Sequence, residues 1–205
     1  MSMDIRIEHN VKEAIKGMTR QQREQVPFAA SMAVNMTADD VAKAVTVQMD
    51  RYLDRPTPFT KKAFITNTGK FKGKRATKRR LEAVIIPGAA QARYLSWAIF
   101  GGTRNTGKGK NVIPSTTASL NKYGNLPGKR RGLSNKAGHF EAEINGVHGI
   151  WTRYKNGTMK LVALVNDKAT YRPIFPIFKI ANGVVRNKFG KNFDKAMKQA
   201  MMTAK

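Results

Sequence analysis

The chain has 205 residues, 41% of them hydrophobic and none of them cysteine, and its 38 Lys and Arg against 13 Asp and Glu leave +25 at neutral pH. This length fits one domain of ordinary size, or one domain with a long insertion, better than two independent cores, and can bury roughly 70% of the unfolded chain's surface without a metal or disulfide. Lack of cysteine excludes disulfide frameworks, thiolate zinc sites, iron–sulfur clusters and thiol nucleophiles, while the charge calls for a polyanion close at hand.

Asp4 to Glu8 alternates Ile5 and Ile7 with charged neighbours, which predicts a short strand. Met1 to Glu8 lacks the layout of a signal peptide, and no stretch approaches the run of about 18 apolar residues that spans a bilayer. A soluble, unexported chain without membrane contact is expected. A helix should follow, with Asn10 as its cap, Glu13 at the capping-box position, and Val11, Ile15 and Met18 on one face. A longer helix is predicted from near Pro27, which suits a first helical turn, to about Leu53, where Asp54-Arg55-Pro56-Thr57-Pro58 stops it. Its apolar side includes Phe28, Met32, Val41, Val45 and Tyr52, a spacing that any core-facing helix shows.

Glu82 to Ile86 reads as a buried strand ended by Pro87-Gly88, and Ala92 to Phe100 as an apolar stretch of helical length that stops at Gly101-Gly102. From Thr103 to Gly138 the chain is rich in Gly, Asn, Ser and Lys with little periodicity, which predicts a long loop or arm. A three-strand meander follows. Phe140, Ala142 and Ile144 alternate with Glu141 and Glu143; Asn145-Gly146 offers a tight turn, and a second Asn-Gly at 156 to 157 separates Gly149 to Tyr154 from Met159 to Val165. Tyr171-Arg172-Pro173-Ile174-Phe175-Pro176 leads into a closing helix striped by Ile177, Ala181, Val185, Phe189, Phe193, Met197, Ala200 and Met201, with Gly183 and Gly190 as weak points. No internal repeat is present.

The charge is unevenly spread. Residues 1 to 60 carry 8 basic and 8 acidic side chains, whereas residues 61 to 138 carry 18 basic and one acidic, and the last 67 residues carry 12 and 4. Between Glu82 and Glu141 lie 58 residues without a carboxylate. Clusters such as Lys70, Lys72, Lys74, Arg75 and Lys78, Arg79, Arg80 therefore repel one another unless counterions, phosphates or an acidic protein surface intervene. In the arm, Arg104, Lys108, Lys110, Lys129, Arg130 and Arg131 belong to the same class of candidate contacts with DNA or an acidic partner.

Little else suggests chemistry. Gly102 to Gly109 nearly spells the phosphate-cradling G-x-x-x-x-G-K-[ST], but Gly109 has no hydroxyl for magnesium and no helix follows to receive phosphates. His9, His139 and His148 do not form a metal set, and the carboxylates are scattered rather than clustered as a metal-dependent nuclease requires. No nucleophile elbow appears. Trp97, Tyr123, Trp151 and Tyr154 have the chemistry to stack on bases, yet strand aromatics are ordinarily packing residues, so contacts to phosphate rather than base readout are expected. No enzyme, cofactor or metal is predicted.

The order of elements, together with Ala92-Arg93-Tyr94-Leu95 leading to Phe100-Gly101-Gly102-Thr103-Arg104 and Tyr171-Arg172-Pro173-Ile174-Phe175 before the last helix, resembles the phage tail-completion and head-to-tail joining family, which includes lambda-type minor tail protein Z. The resemblance covers most of the chain. Tyr94, Gly101, Gly102, Thr103, Arg172 and Pro173 match the family's structural motifs, while the doubled glycine and the long arm exceed a minimal member. The resemblance implies an α+β fold in which an antiparallel sheet of about four strands packs with a long N-terminal and a C-terminal helix. It further implies a virion protein, made in the host cytoplasm, that forms a ring, usually sixfold, at the head-proximal end or neck of the tail. Its partners would be the tail terminator or tail tube, head-proximal connector proteins and the end of the packaged DNA. The alternative is a sequence-nonspecific nucleic-acid-binding protein.

Overall fold

The computed structural model describes residues 4–8, 19–105, 111–116, 118–126 and 138–203. The helix expected around Asn10, Val11, Glu13, Ile15 and Met18 lies outside the described residues. Among those described, the longest element is α1 (Arg20–Tyr52), which starts at Arg20 rather than near Pro27 and holds the proline inside the helix. An interior proline removes one backbone bond and costs about 3 kcal/mol. Two features act against that cost: Val26, Ala29 and Ala30 are buried on either side of it, and Arg20 pairs with Glu24 one turn apart at 3.2 Å. The stop comes where the sequence places it, since Arg55 adopts a left-handed φ of 44° ahead of Pro56.

The chain forms two compact units, one drawn from Met1–Ile99 and Ile174–Lys205 and the other from the continuous stretch Phe100–Pro173 between them. The first unit is built on α1 and the closing helix, α4 (Ile177–Met202). Ala29 and Ala33 of α1 meet Ala196 and Ala200 of α4 in a fully buried cluster, with Phe28, Met32, Phe189, Phe193 and Met197 packed around it. The helices run antiparallel, because Thr37 and Asp40 of α1 take hydrogen bonds from Asn192 at 3.1 and 2.9 Å, and Ala44 and Tyr52 lie beside Lys188 and Pro176. Alanine permits this approach, having no side chain beyond Cβ to hold the two backbones apart. Val34, Val41, Val45 and Met49 extend the buried face of α1, each contributing about 1.5–3 kcal/mol relative to exposure.

Against α1 lies an antiparallel sheet of β1 (Ile5–Glu8), β2 (Gly73–Lys74) and β3 (Glu82–Ile85), with β3 central and Ile5 opposite Ile85. Gly73 sits at φ 136°, and a Cβ there would overlap the carbonyl oxygen of Val84, so only glycine fits. The short α2 (Pro58–Lys61) is capped by the Thr57 hydroxyl, which accepts the Thr60 N–H at 3.1 Å. The helix α3 (Ala89–Phe100) buries Gln91, Leu95 and Ile99, and the Gln91 amide donates to the Phe59 carbonyl at 3.1 Å.

The second unit is antiparallel β. One sheet pairs β4 (Gly102–Asn105) with β9 (Lys168–Tyr171), and a four-stranded sheet runs β5 (Asn111–Pro114), β8 (Met159–Asn166), β7 (Val147–Arg153), β6 (His139–Ile144). The meander is as the sequence predicts: Asn145 and Gly146 take φ of 52° and 75°, the two left-handed positions that a two-residue hairpin turn requires. The stretch 103–138 differs from the expected loop, since it contributes β4 and β5. Residues Asn111 to Pro114 form an edge strand by pairing with Ala163 to Asn166, a partner about 50 residues away that local periodicity does not reveal, and Pro114 is tolerated at its end. Ile150 and Val165 are the buried centre of this sheet, covered by Val112, Leu126 and Val162. The molecule is thus α+β, with antiparallel sheets, a long N-terminal helix and a C-terminal helix. Replacing Ala33 with Leu should force α1 and α4 apart at a contact with no free space; the expected loss is about 1–3 kcal/mol, read as a fall of about 2–4 °C in Tm per kcal/mol.

Candidate polyanion interface

The basic stretch from Lys70 to Arg80 is fastened to α1 rather than hanging free. Asn35 mimics a strand neighbour: its amide donates to the Ala76 carbonyl at 3.0 Å and its carbonyl accepts the Ala76 N–H at 2.9 Å. One turn on, Asp39 accepts the Phe71 N–H at 2.9 Å and pairs with Arg75 at 3.4 Å. The Arg75 guanidinium lies 4.7 Å from the Phe71 ring centroid, and the Lys78 ammonium 4.8 Å from that of Phe28 on α1. Positions 28, 35 and 39 share one side of the helix, so a single face of α1 sets the path of the whole segment.

Several of its cations are consequently engaged. Lys72 donates to the Lys62 carbonyl at 2.7 Å, and Arg80 reaches Glu82 at 2.7 Å. The Arg80 hydrogen bond, aided by the charges of Arg80, Arg6 and Lys74, holds the Glu82 carboxyl below its ordinary value of 4.5 against the opposing effect of burial. Glu82 thus supplies local counter-charge to this segment, and Asp39 on α1 adds counter-charge from a distant part of the chain. Lys70 and Arg79 form no ion pair with the described residues and face solvent.

Of the arm cations, Arg104 is exposed on β4. Lys108, Lys110, Lys129, Arg130 and Arg131 lie outside the described residues. The glycine-rich near-match begins as strand, with Gly102 to Asn105 paired to Lys168 to Tyr171, so its first half does not form a phosphate-cradling loop. Trp151 donates its indole N–H to the Ala142 carbonyl at 3.1 Å, which fixes it as a packing residue between β6 and β7. His148 contacts Glu141 at 3.3 Å. Among the described residues no group of three or more His, Cys, Asp or Glu is placed to hold a metal ion, and no helix is long and apolar enough to cross a membrane.

The motif residues gather in two places. In the second unit Gly101 takes φ 67°, and a Cβ there would lie 2.8 Å from the Pro173 ring and 2.9 Å from the Tyr171 carbonyl oxygen. Gly102 pairs with Tyr171 and Thr103 with Thr170, their hydroxyls 3.2 Å apart, so the Gly-Gly-Thr and Tyr-Arg-Pro steps, about 70 residues apart, are neighbours; Arg172 between them is exposed. In the first unit the N–H groups of Ile174 and Phe175 both donate to the Ala98 carbonyl, at 2.8 and 2.9 Å. Tyr94 is held by a 3.0 Å hydrogen bond between its hydroxyl and that of Thr60.

Sequence reasoning overlooked the outer surface of α4. Lys188, Lys191, Lys195 and Lys198 are all exposed, and with 3.6 residues per turn they fall within about 80° of the helix circumference. Their spacing is present in the sequence, but which side of the helix stays exposed is set by packing on α1. Beside them a groove of about 370 Å³ opens between α1 and α4, lined by Ala44, Gln48, Tyr52, Ile180, Gly183 and Lys188 among others. Comparison with protein-family models, with curated proteins and with solved structures returns no match.

Removing the Asn35 amide should release the basic segment. Asn35→Ala is expected to cost about 2 kcal/mol, from two hydrogen bonds at about 1 kcal/mol each, and to speed tryptic cleavage at Lys74, Arg75 and Lys78; unchanged digestion kinetics would contradict the fastening. The Glu82–Arg80 pair carries a pH signature. A carboxyl whose folded pKa lies below its unfolded one contributes fully above about 4.5 and loses that contribution as pH falls through the lower folded value. Glu82→Gln should therefore flatten the acid limb of a Tm-against-pH curve and leave its slope near neutrality unchanged.

Proposed function

We propose that this chain is a structural virion protein of a tailed phage, forming a ring, hexameric in the simplest case, at the head-proximal end of the tail. There it completes the tail and joins it to the head, with its partners the tail terminator or tube on one side and the connector on the other. The observation that carries the reading is the pairing of the Gly101-Gly102-Thr103 step with Tyr171-Arg172-Pro173. These are the short motifs on which the family resemblance rests, and they act here as one interlocked structural feature in a chain that also has the long N-terminal and C-terminal helices.

The charge supplies a mechanism for timing. Copies that each carry +25 repel one another, so a ring of them closes only when acidic neighbouring rings or the DNA end provide counter-charge. Assembly is then conditional on the correct partner. A dedicated sequence-nonspecific nucleic-acid binder is the second reading, favoured by Lys70 and Arg79, which are exposed and form no ion pair with the described residues. Electron microscopy of lysates from a phage carrying a nonsense codon early in this gene separates the two. The joining role predicts DNA-filled heads and unattached or abnormal tails, restored when the protein is supplied; intact infectious particles would remove it and leave the nucleic-acid binder.

A further inference from the structure

We infer that the outer face of α4, through Lys188, Lys191, Lys195 and Lys198, is a docking surface for the phosphate backbone of duplex nucleic acid. This goes beyond the joining role and does not rest on it, since it concerns a surface of the isolated chain. The four lysines occupy successive turns over about 15 Å of helix, a length that spans about four phosphates of one strand at 3.4 Å of rise. All four are exposed, Lys188 at the rim of the groove beside α1, and they make no ion pair with the described residues. Asp194, the one carboxylate of α4, is also exposed and forms no ion pair with them. The helix carries six basic residues in all, and the other two, Lys179 and Arg186, lie about 150° around from the centre of the Lys191–Lys195 face.

Three features favour this face over the basic segment beside α1. Its cations make no ion pair with the described residues, whereas Arg75 and Arg80 already face carboxylates, Lys72 a carbonyl and Lys78 an aromatic ring. Its scaffold is fixed, because Ala196, Ala200 and Asn192 of the same helix are locked to α1, so binding need not order the backbone. Its chemistry is that of point charges: lysines presented in a row, without the bidentate fork of arginine, suit phosphates at regular spacing and carry no base readout. An acidic protein would share only the charge.

The test compares equal charge changes on two faces of one helix. Binding of the full-length protein to a fluorescent duplex of about 30 base pairs is followed by anisotropy between about 50 and 200 mM salt, giving the slope of log K against log salt. Each phosphate contact contributes about 0.9 to that slope. K191Q/K195Q should lower its magnitude by about 1.8, and K179Q/R186Q by less than about 0.5. Glutamine keeps helix propensity close to that of lysine, and matched Tm values confirm that both variants are folded. No duplex binding by the wild-type chain, or equal losses for the two variants, would overturn the inference. So would binding of a fluorescent poly-glutamate chain as tight as that of the duplex and lost in K191Q/K195Q, which would assign the face to an acidic protein instead. None of these outcomes bears on the nonsense-codon phenotype, so the ridge and the joining role stand or fall separately.

Discussion

The small-residue contact between α1 and α4 is the constraint on which the first unit depends. Ala29 and Ala33 against Ala196 and Ala200 let two long helices lie close together, although they come from opposite ends of the chain. Apolar packing of this kind sets distance but leaves sliding along the axis cheap. The Asn192 amide, shared between the buried Thr37 hydroxyl and Asp40, removes that freedom, because a shift of register would leave polar groups unpaired in a largely apolar interface.

With the helix pair fixed, α1 serves as a rail for elements that have little cohesion of their own. The segment from Phe71 to Lys78 has only two residues in a strand, yet Asn35, Asp39 and Phe28 hold it along its length. Its positive charges are kept near one another by contacts to backbone and ring as much as by ion pairs. That arrangement stabilises a high charge density without neutralising it, which is the condition a polyanion partner needs. The same helix pair holds α4 with one face buried and a row of lysines on the outside.

The second unit works differently. Its meander and edge strand are held by backbone pairing and a small apolar centre around Ile150 and Val165. Its two ends are drawn together by the Gly101–Pro173 contact, where the chain lacks room for a side chain and adopts a conformation that favours glycine. The shortness of the motifs reflects this: a few residues suffice when the requirement is steric rather than chemical.

By itself the sequence determined what is local. The stop of α1 at Asp54-Arg55-Pro56, the hairpin at Asn145-Gly146, the α+β class and the apolar stripe of α4 all follow from interactions within a few residues, which periodicity and turn chemistry report directly. Tertiary structure decided what depends on distant partners. Helix α1 continues through Pro27 because tertiary burial outweighs one lost bond, Asn111 to Pro114 becomes a strand because β8 offers an edge, and Arg75 finds Asp39 from a helix 36 residues earlier in the chain. The lysine ridge falls between the two cases. Its spacing is written in the sequence, but only the packing of α4 on α1 decides which side of the helix is buried, and so which charges remain for a partner.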